Sequence, residues 1–481
     1  METTNPLHSH ASAPRVDDAA VAALENDLRG ELLQPGTAAY DAARRVWNGM
    51  IDRHPALIAR CTGAADVMAA VTFARDHSLP VSVRGGGHNV AGTAVCDDGL
   101  VIDTSPMKGI HVDPQARTAV VQPGANWGEL DRETQLFGLA TPGGEVSQTG
   151  VTGLTLGGGL GWLRRKHGLS CDNLLAVDLV TPDGAFRRVS ETEHSDLFWA
   201  LRGGGGDVGV VTAFTFQLHP VGPEVMYLSV AHPLDEKNAP ALLREWRDVV
   251  ATMPDEATAA ANLWSVPPLP DVPEELHGEP VLIFEGVYAG SVEEGERVFN
   301  PIRQIGTPIV DESGPLPFAA VQSAVDDLVP DGDLYYWKSL YLKGLSDEAI
   351  DAIVTVALDR PSDRTLVVLR QLGGAMSRVP AEATAFGDRS APFHLSLDAI
   401  WSDPADSDRI IEWTRAKWDD LQPFSTGGFY VNFPGFWEEE DALQRAAYGG
   451  NYDRLSAIKK QYDPQGLFSR RSTPPAAVQD G

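Results

Sequence analysis

The stretch Val81-Ser-Val-Arg-Gly-Gly-Gly-His-Asn89 decides the reading of this chain. Pro80 precedes an apolar–polar alternation that predicts a short strand, and three glycines follow. Glycine adopts positive φ and lets backbone N–H groups come close to a ligand. A row of such groups makes an anion-binding concavity suited to a pyrophosphate. Gly85, Gly86 and Gly87 supply that backbone, and His88 sets an imidazole beside it. Taken without its neighbours, the same stretch is a glycine turn that ends in a histidine.

On either side the chain alternates short strands and helices. Ala64–His77 carries Val67, Val71 and Ala74 at helical spacing. Leu100–Asp103, Gly109–Val112 and Ala119–Val121 predict strands, and Asn126–Phe137 a helix. An earlier helix is expected over Asp17–Leu33. A second glycine cluster spans Gly150 to Gly161. No ordinary helix or strand wants so many glycines, at up to about 1 kcal/mol each relative to alanine. Close approach to a large flat ligand accounts for them, and so would a flexible loop, although Leu and Val are not linker residues. Gly204, Gly206 and Gly209 satisfy G-x-G-x-x-G, but a helix precedes them and a strand follows. That is the reverse of the strand–loop–helix order a dinucleotide fingerprint needs.

Arg84-Gly-Gly-Gly-His88-Asn89, Gly92 and Asp98-Gly-Leu-Val-Ile-Asp103 together resemble the FAD-binding segment of the berberine-bridge-enzyme-like family. That family lies within the vanillyl-alcohol-oxidase/p-cresol-methylhydroxylase superfamily. The resemblance runs from about Ile51 to Phe468. It implies an α+β fold: a p-cresol-methylhydroxylase-type FAD-binding domain of two α+β subdomains, and a substrate domain with an antiparallel sheet backed by helices. The expected divisions are a tail and helix over 1–40, the FAD domain over 41–222, the substrate domain over 223–425, a closing segment over 426–470 that packs back on the FAD domain, and a disordered tail over 471–481. FAD is the implied cofactor, bonded covalently through His88 and through Cys171, which stands where family members carry a cysteine thioether. The resemblance further implies FAD contacts at Arg84, Gly85, Gly86, Gly87, Asn89, Gly92, Pro123, Gly150, Gly153, Gly158, Gly161, Asn173, Gly209, Val211, Asn432 and Asn451. Asp207-Val208 departs from the family's usual Asn-Phe.

Past Glu224, strand-like segments at Tyr227–Ala231, Ala261–Val266, Pro280–Tyr288, Leu334–Leu342, Arg364–Leu372 and Pro392–Trp401 are interrupted by helical ones without strict alternation. That pattern predicts an antiparallel sheet with helices on one face. Phe429-Tyr-Val-Asn-Phe-Pro434 resembles a family strand that carries the active-site tyrosine. Tyr430 is therefore the implied proton acceptor, with Asn432 on the same strand face. An unperturbed tyrosine titrates near pKa ~10, so this role needs help from a neighbour. A core aromatic with a satisfied hydroxyl is the plainer reading. His394, Ser396 and Asp398 share one face of a strand that either lines a pocket or faces water. His394 and Ser396 replace the Lys, Gln, Glu or Asp that the family often places there. Tyr448 is a secondary candidate.

The 481 residues hold 38 basic and 67 acidic side chains, a formal charge of −29. Such a surface disfavours nucleic acid and anionic membranes as partners. The acidic run Glu438–Asp441 reads as solvated surface, or as an adaptation to high salt. No run of 18 apolar residues exists and no secretory leader is evident, so a cytoplasmic location is expected. Three cysteines, Cys61, Cys96 and Cys171, are too few for a disulfide framework. No Cys-x-x-Cys, zinc-type His spacing or Gly-x-Ser-x-Gly occurs, so no metal is expected and the cofactor carries the chemistry. The expected activity is oxidation of an alcohol, sugar or amine carbon by hydride transfer to FAD, with O₂ as reoxidant, by a monomer or homodimer. A dehydrogenase with another electron acceptor, and a flavin-carrying binding protein without turnover, are the alternatives.

Overall fold

The structure, a computed structural model, describes residues 16–267, 274–436 and 440–468. The first sheet takes the strand order Glu31–Leu33, Leu57–Arg60, Leu100–Asp103, Val81–Arg84. Its last three strands are parallel. Helix Ala64–Asp76 supplies the crossover, and Val67, Val71 and Ala74 are all fully buried, as their spacing predicts. The second sheet is antiparallel and orders Ile110–Asp113, Thr118–Val121, Val210–Gln217, Leu174–Val180 and Phe186–Ser190. Helix Trp127–Gln135 packs on it and begins with a capping box: Glu129 N–H donates to Asn126 Oδ1 at 2.9 Å, and Asn126 N–H to Glu129 Oε2 at 3.0 Å.

The third sheet is antiparallel throughout. Its path is Val310–Asp311, Glu224–Pro233, Pro280–Tyr288, Ala257–Ser265, Leu366–Gln371, Phe393–Trp401, Leu334–Leu342, with Gly314–Pro317 also paired to Glu224–Pro233. Helices Ala239–Val250, Val292–Arg303, Asp347–Leu358 and Ser407–Leu421 contribute Trp246, Phe299, Ile353 and Leu421 to one core with Leu263, Phe284, Leu369, Leu395 and Leu397. Strand side chains alternate between faces. The opposite face therefore carries Asn262, Glu285, Arg370, His394, Ser396 and Asp398, on the side of the other two sheets.

Two expectations change. The first helix stops at Asp27, and Glu31–Leu33 form a strand on Leu57–Arg60. The cause is Asp66, whose carboxylate accepts the Arg29 and Gly30 N–H groups at 2.9 and 3.2 Å. Those donors are thereby withdrawn from a continuing helix. The second glycine cluster does contain a helix, Val151–Leu156, flanked by Gly150 and Gly157. Residues 1–15 and 469–481, and with them the expected tails, lie outside the described residues, as do Glu438 and Glu439 of the acidic run. Among the described residues no helix is long and apolar enough to cross a membrane.

Candidate active site

Strand Val81–Arg84 delivers the loop Gly85–Asn89 to a cavity of about 600 Å³. Both glycine clusters and the polar face of the large sheet line it. Gly86 lies backbone to backbone on Gly150. A Cβ on Gly86 would sit 2.6 Å from Gly150 Cα, and one on Gly150 would sit 2.6 Å from the Gly86 nitrogen. Gly87 has φ +72°. Gly153 has no atom within 4 Å of where a Cβ would stand, so its Cα faces open cavity. We expect Gly86→Val to cost about 2 kcal/mol of folding stability, from overpacking against backbone that cannot retreat. Denaturant unfolding of the variant checks this.

Other glycines and loop residues of the expected FAD contacts sit behind the cavity wall. A Cβ on Gly92 would meet Ile51, one on Gly158 would meet Phe386, and one on Gly161 would meet the Gly143 carbonyl. Arg84 donates to the Ala43 carbonyl, and the Pro123 carbonyl accepts from Thr152 Oγ1 at 2.8 Å. Asn89, Gly209, Val211 and Asn432 line the cavity. Asn173 does not: its amide donates to the His167 and Leu169 carbonyls at 2.9 and 2.8 Å and its oxygen meets His219 Nε2 at 2.6 Å. Asn451 likewise holds three carbonyls, of Ala381, Thr384 and Phe386, at 2.9–3.2 Å. Both are thus committed to loop structure.

His88 lines the cavity, and its Nε2 is buried without a hydrogen-bond partner. Its ring stacks on Trp47 at 4.1 Å, and Trp47 stacks on Tyr335 at 3.6 Å. Trp47 is fixed in turn by its Nε1–H, which donates to the Val329 carbonyl at 2.9 Å. Burial pulls the His88 pKa down to about 4, so the imidazole is neutral at pH 7. Cys171 lies one layer behind the wall. It is fully buried in a cluster with Leu160, Phe386 and Tyr430, and its thiol reaches Asp172 Oδ1 at 3.8 Å. Burial pushes that thiol well above its ordinary range, and the Asp172 carboxylate adds to the rise. Asp172 itself is clamped by Arg389 at 2.6 and 3.0 Å.

Phe429–Pro434 is not a strand. The chain turns, with Phe433 N–H donating to the Tyr430 carbonyl at 2.8 Å, and only Pro434 bridges to Lys338. Proline has no N–H with which to extend a ladder. The turn nevertheless brings Tyr430 and Asn432 together. Asn432 Nδ2 donates to Tyr430 Oη at 2.8 Å and to the Leu154 carbonyl at 3.3 Å. The carbonyl sets which way the amide points. Gly159 and Leu160 N–H groups donate to the same phenol oxygen at 3.1 and 3.2 Å. Three donors thus converge on one oxygen, an arrangement that stabilises negative charge. Burial outweighs them in the free protein and raises the Tyr430 pKa to about 12.

His394, Ser396 and Asp398 are all buried, so this strand face lies in the interior and not on the outer surface. His394 and Asp398 line the cavity, whereas Ser396 accepts from Arg370 Nη1 at 2.8 Å. The His394 ring is surrounded by Tyr430, Tyr341 and Phe433 at 5.8, 5.8 and 5.9 Å, and neither ring nitrogen has a partner. Burial, with Arg370 and Arg164 adding to it, holds His394 neutral. Tyr448 lines the cavity beside Gly205, its hydroxyl 3.6 Å from where a Cβ there would stand. Three further cavity residues escape sequence reasoning: Glu145, Glu285 and Arg370. Glu145 accepts from Arg370 Nε at 2.9 Å and Arg164 Nη1 at 3.2 Å. Burial opposes its ionisation, but the two guanidiniums hold its pKa below the usual value.

Comparison with known proteins agrees with this geometry. Residues 55–190 match the FAD binding domain family, and residues 429–472 match the family described as berberine and berberine like. An FAD-linked oxidoreductase of Dictyostelium discoideum is 31% identical, covering 92% of this chain and 94% of its own. The (R)-6-hydroxynicotine oxidase of Paenarthrobacter nicotinovorans is 29% identical over 92% of this chain and 95% of its own. The solved structure of a berberine-bridge-like protein of Physcomitrella patens superposes with a TM-score of 0.83 at 25% identity, covering 95% of this chain and 99% of its own. The residues on the cavity fit FAD: glycine backbone open to a pyrophosphate at Gly85–Gly87 and Gly153, and a neutral imidazole with a buried, unpartnered nitrogen. An FAD-dependent oxidoreductase is what these residues build, and the chain belongs to the berberine-bridge-enzyme-like family of FAD-linked oxidoreductases.

Proposed function

We propose that the chain is an oxidase of small molecules that carry an oxidisable alcohol, sugar or amine carbon, with FAD attached covalently at His88 and Cys171. Bound FAD would supply the two-electron acceptor, taking hydride from a substrate C–H and returning the electrons to O₂ as hydrogen peroxide. In this reading, residues 41–222 hold the cofactor and the polar face of the large sheet, within 223–425, holds the substrate. The glycine backbone at Gly85–Gly87, Gly150 and Gly153 would carry the pyrophosphate. Tyr430, ionised, accepts the proton of the substrate O–H or N–H at Oη and becomes the neutral phenol; the Gly159, Leu160 and Asn432 donors stabilise the phenolate that must stand there beforehand. His394 bounds the other side of Tyr430 as a neutral ring, and the surrounding Phe433 and Tyr341 keep water away.

The observation that carries the reading is the threefold N–H cradle on Tyr430 Oη in a water-excluded wall of the glycine-lined cavity. The test is anaerobic reduction of the holoenzyme by a panel of alcohols, sugars and amines, followed by admission of O₂. One H₂O₂ formed per flavin reoxidised within seconds is the expected result. Reoxidation only by an added dye would make it a dehydrogenase, and reduction by no member of the panel a binding protein.

A further inference from the structure

The cavity floor formed by the large sheet holds more carboxyl groups than its guanidinium groups balance. Glu145, Glu285 and Asp398 line it, against Arg370 and, behind Glu145, Arg164. Glu145 takes up both guanidiniums. Glu285 accepts from the Tyr227 hydroxyl at 2.6 Å and the Asn262 amide at 2.9 Å. Asp398 has the Ser396 hydroxyl as its hydrogen-bonding neighbour and no guanidinium bonded to it. Its Oδ2 is 3.9 Å from Arg370 Nη2, beyond hydrogen-bond reach, and its Oδ1 has no partner. The residue is 5% exposed. Burial raises its pKa to about 6 despite Arg370, which still leaves a carboxylate at pH 7.

A buried carboxylate oxygen without a partner is costly unless a ligand satisfies it. The surroundings say what that ligand is. Asp398 is flanked in register by Trp337 and Leu366, with Ile400 two residues on, and all three line the cavity with it. A neutral hydroxyl would satisfy the oxygen and leave the charge, and a carboxylate would add to the excess. A cation satisfies both. We infer that this recess is a subsite for a protonated amine carried on an apolar, ring-sized body, with Asp398 as its anchor. This narrows the substrate class of the proposed oxidase and rests on that reading only in placing substrate in this cavity. Asp398 acts here in binding and specificity, one end of the strand away from the Tyr430 hydroxyl.

The test uses the holoenzyme without oxygen and two probes of equal shape, benzylamine and benzyl alcohol, titrated by calorimetry near pH 8, where the amine is protonated. A charge-assisted bond in a desolvated recess predicts that benzylamine binds at least about tenfold more tightly. Asp398→Asn should abolish that preference, whereas Glu285→Gln should keep most of it. Equal binding of the two probes, no binding of benzylamine, or a preference that survives Asp398→Asn would overturn the subsite. If Asp398→Asn does not fold, the comparison of probes on the unaltered protein still decides. Flavin reduction by neutral alcohols with H₂O₂ release, in a protein that shows no amine preference, would sink the subsite and leave the oxidase standing.

Discussion

Tyr430→Phe should slow substrate-driven flavin reduction by about 10²–10⁴-fold, the range expected for removing a positioned general base, and leave flavin content unchanged. A neutral phenol oxygen already carrying its own proton has less to offer three N–H donors than a phenolate has. Gly159, Leu160 and Asn432 are therefore poised for the charged form. Burial works against them and leaves the pKa at about 12 before substrate binds. Below that value the ionised fraction grows about tenfold per pH unit. The reduction rate should thus rise with pH through the neutral and mildly alkaline range, and Tyr430→Phe should lose that rise along with the rate. Asn432→Leu removes one donor of three and should fall between the two. Stopped-flow reduction in the absence of oxygen measures both variants. A Tyr430→Phe rate within about threefold of the parent would put the proton acceptor elsewhere.

The fold was largely legible because most of its signals are local. Pro280–Tyr288 and Leu334–Leu342 alternate or run apolar over their full lengths and form strands with those bounds. Asp347–Leu358 has its serine cap in front and forms the helix its spacing predicts. The reverse order around Gly204–Gly209 correctly excluded a dinucleotide fingerprint, since helix Ser195–Leu201 precedes and strand Val210–Gln217 follows. What sequence missed depends on distant partners. Asp66, 37 residues from Arg29 and in the first turn of helix Ala64–Asp76, ends the first helix. Tyr430 and Asn432 do meet, but through a turn closed by the Phe433 N–H on the Tyr430 carbonyl and not along a strand. Whether His394 and Asp398 faced water or a pocket could not be read from alternation, which is the same for both. Glu145 became a site residue only because Arg370, 225 positions away, reaches it.

His88→Ala combined with Cys171→Ser should release all flavin when the protein is precipitated with acid, whereas the unaltered protein should leave a yellow pellet. The two residues are unequal in this structure, and the single variants should show it. His88 stands on the cavity with a neutral ring, an unpartnered Nε2 and an orientation fixed by the Trp47 stack. A neutral imidazole is the nucleophilic form, and about 4 is far enough below pH 7 to keep it so. Cys171 lies behind Leu160 and Tyr430, with its thiol held protonated by burial and by Asp172. The thiolate is the reactive form. Its attachment therefore requires that layer to part around bound FAD. Cys171→Ser should keep a yellow pellet with flavin mapped to the His88 peptide, and His88→Ala should keep less flavin, on the Cys171 peptide alone. Trp47→Ala should loosen the His88 ring and lower the His88-linked fraction without touching the Cys171 link. Peptide mapping by mass separates these outcomes. Flavin on His88 alone in the unaltered protein would make Cys171 a buried structural thiol, and a colourless pellet would leave FAD held by the glycine cradle without a covalent bond.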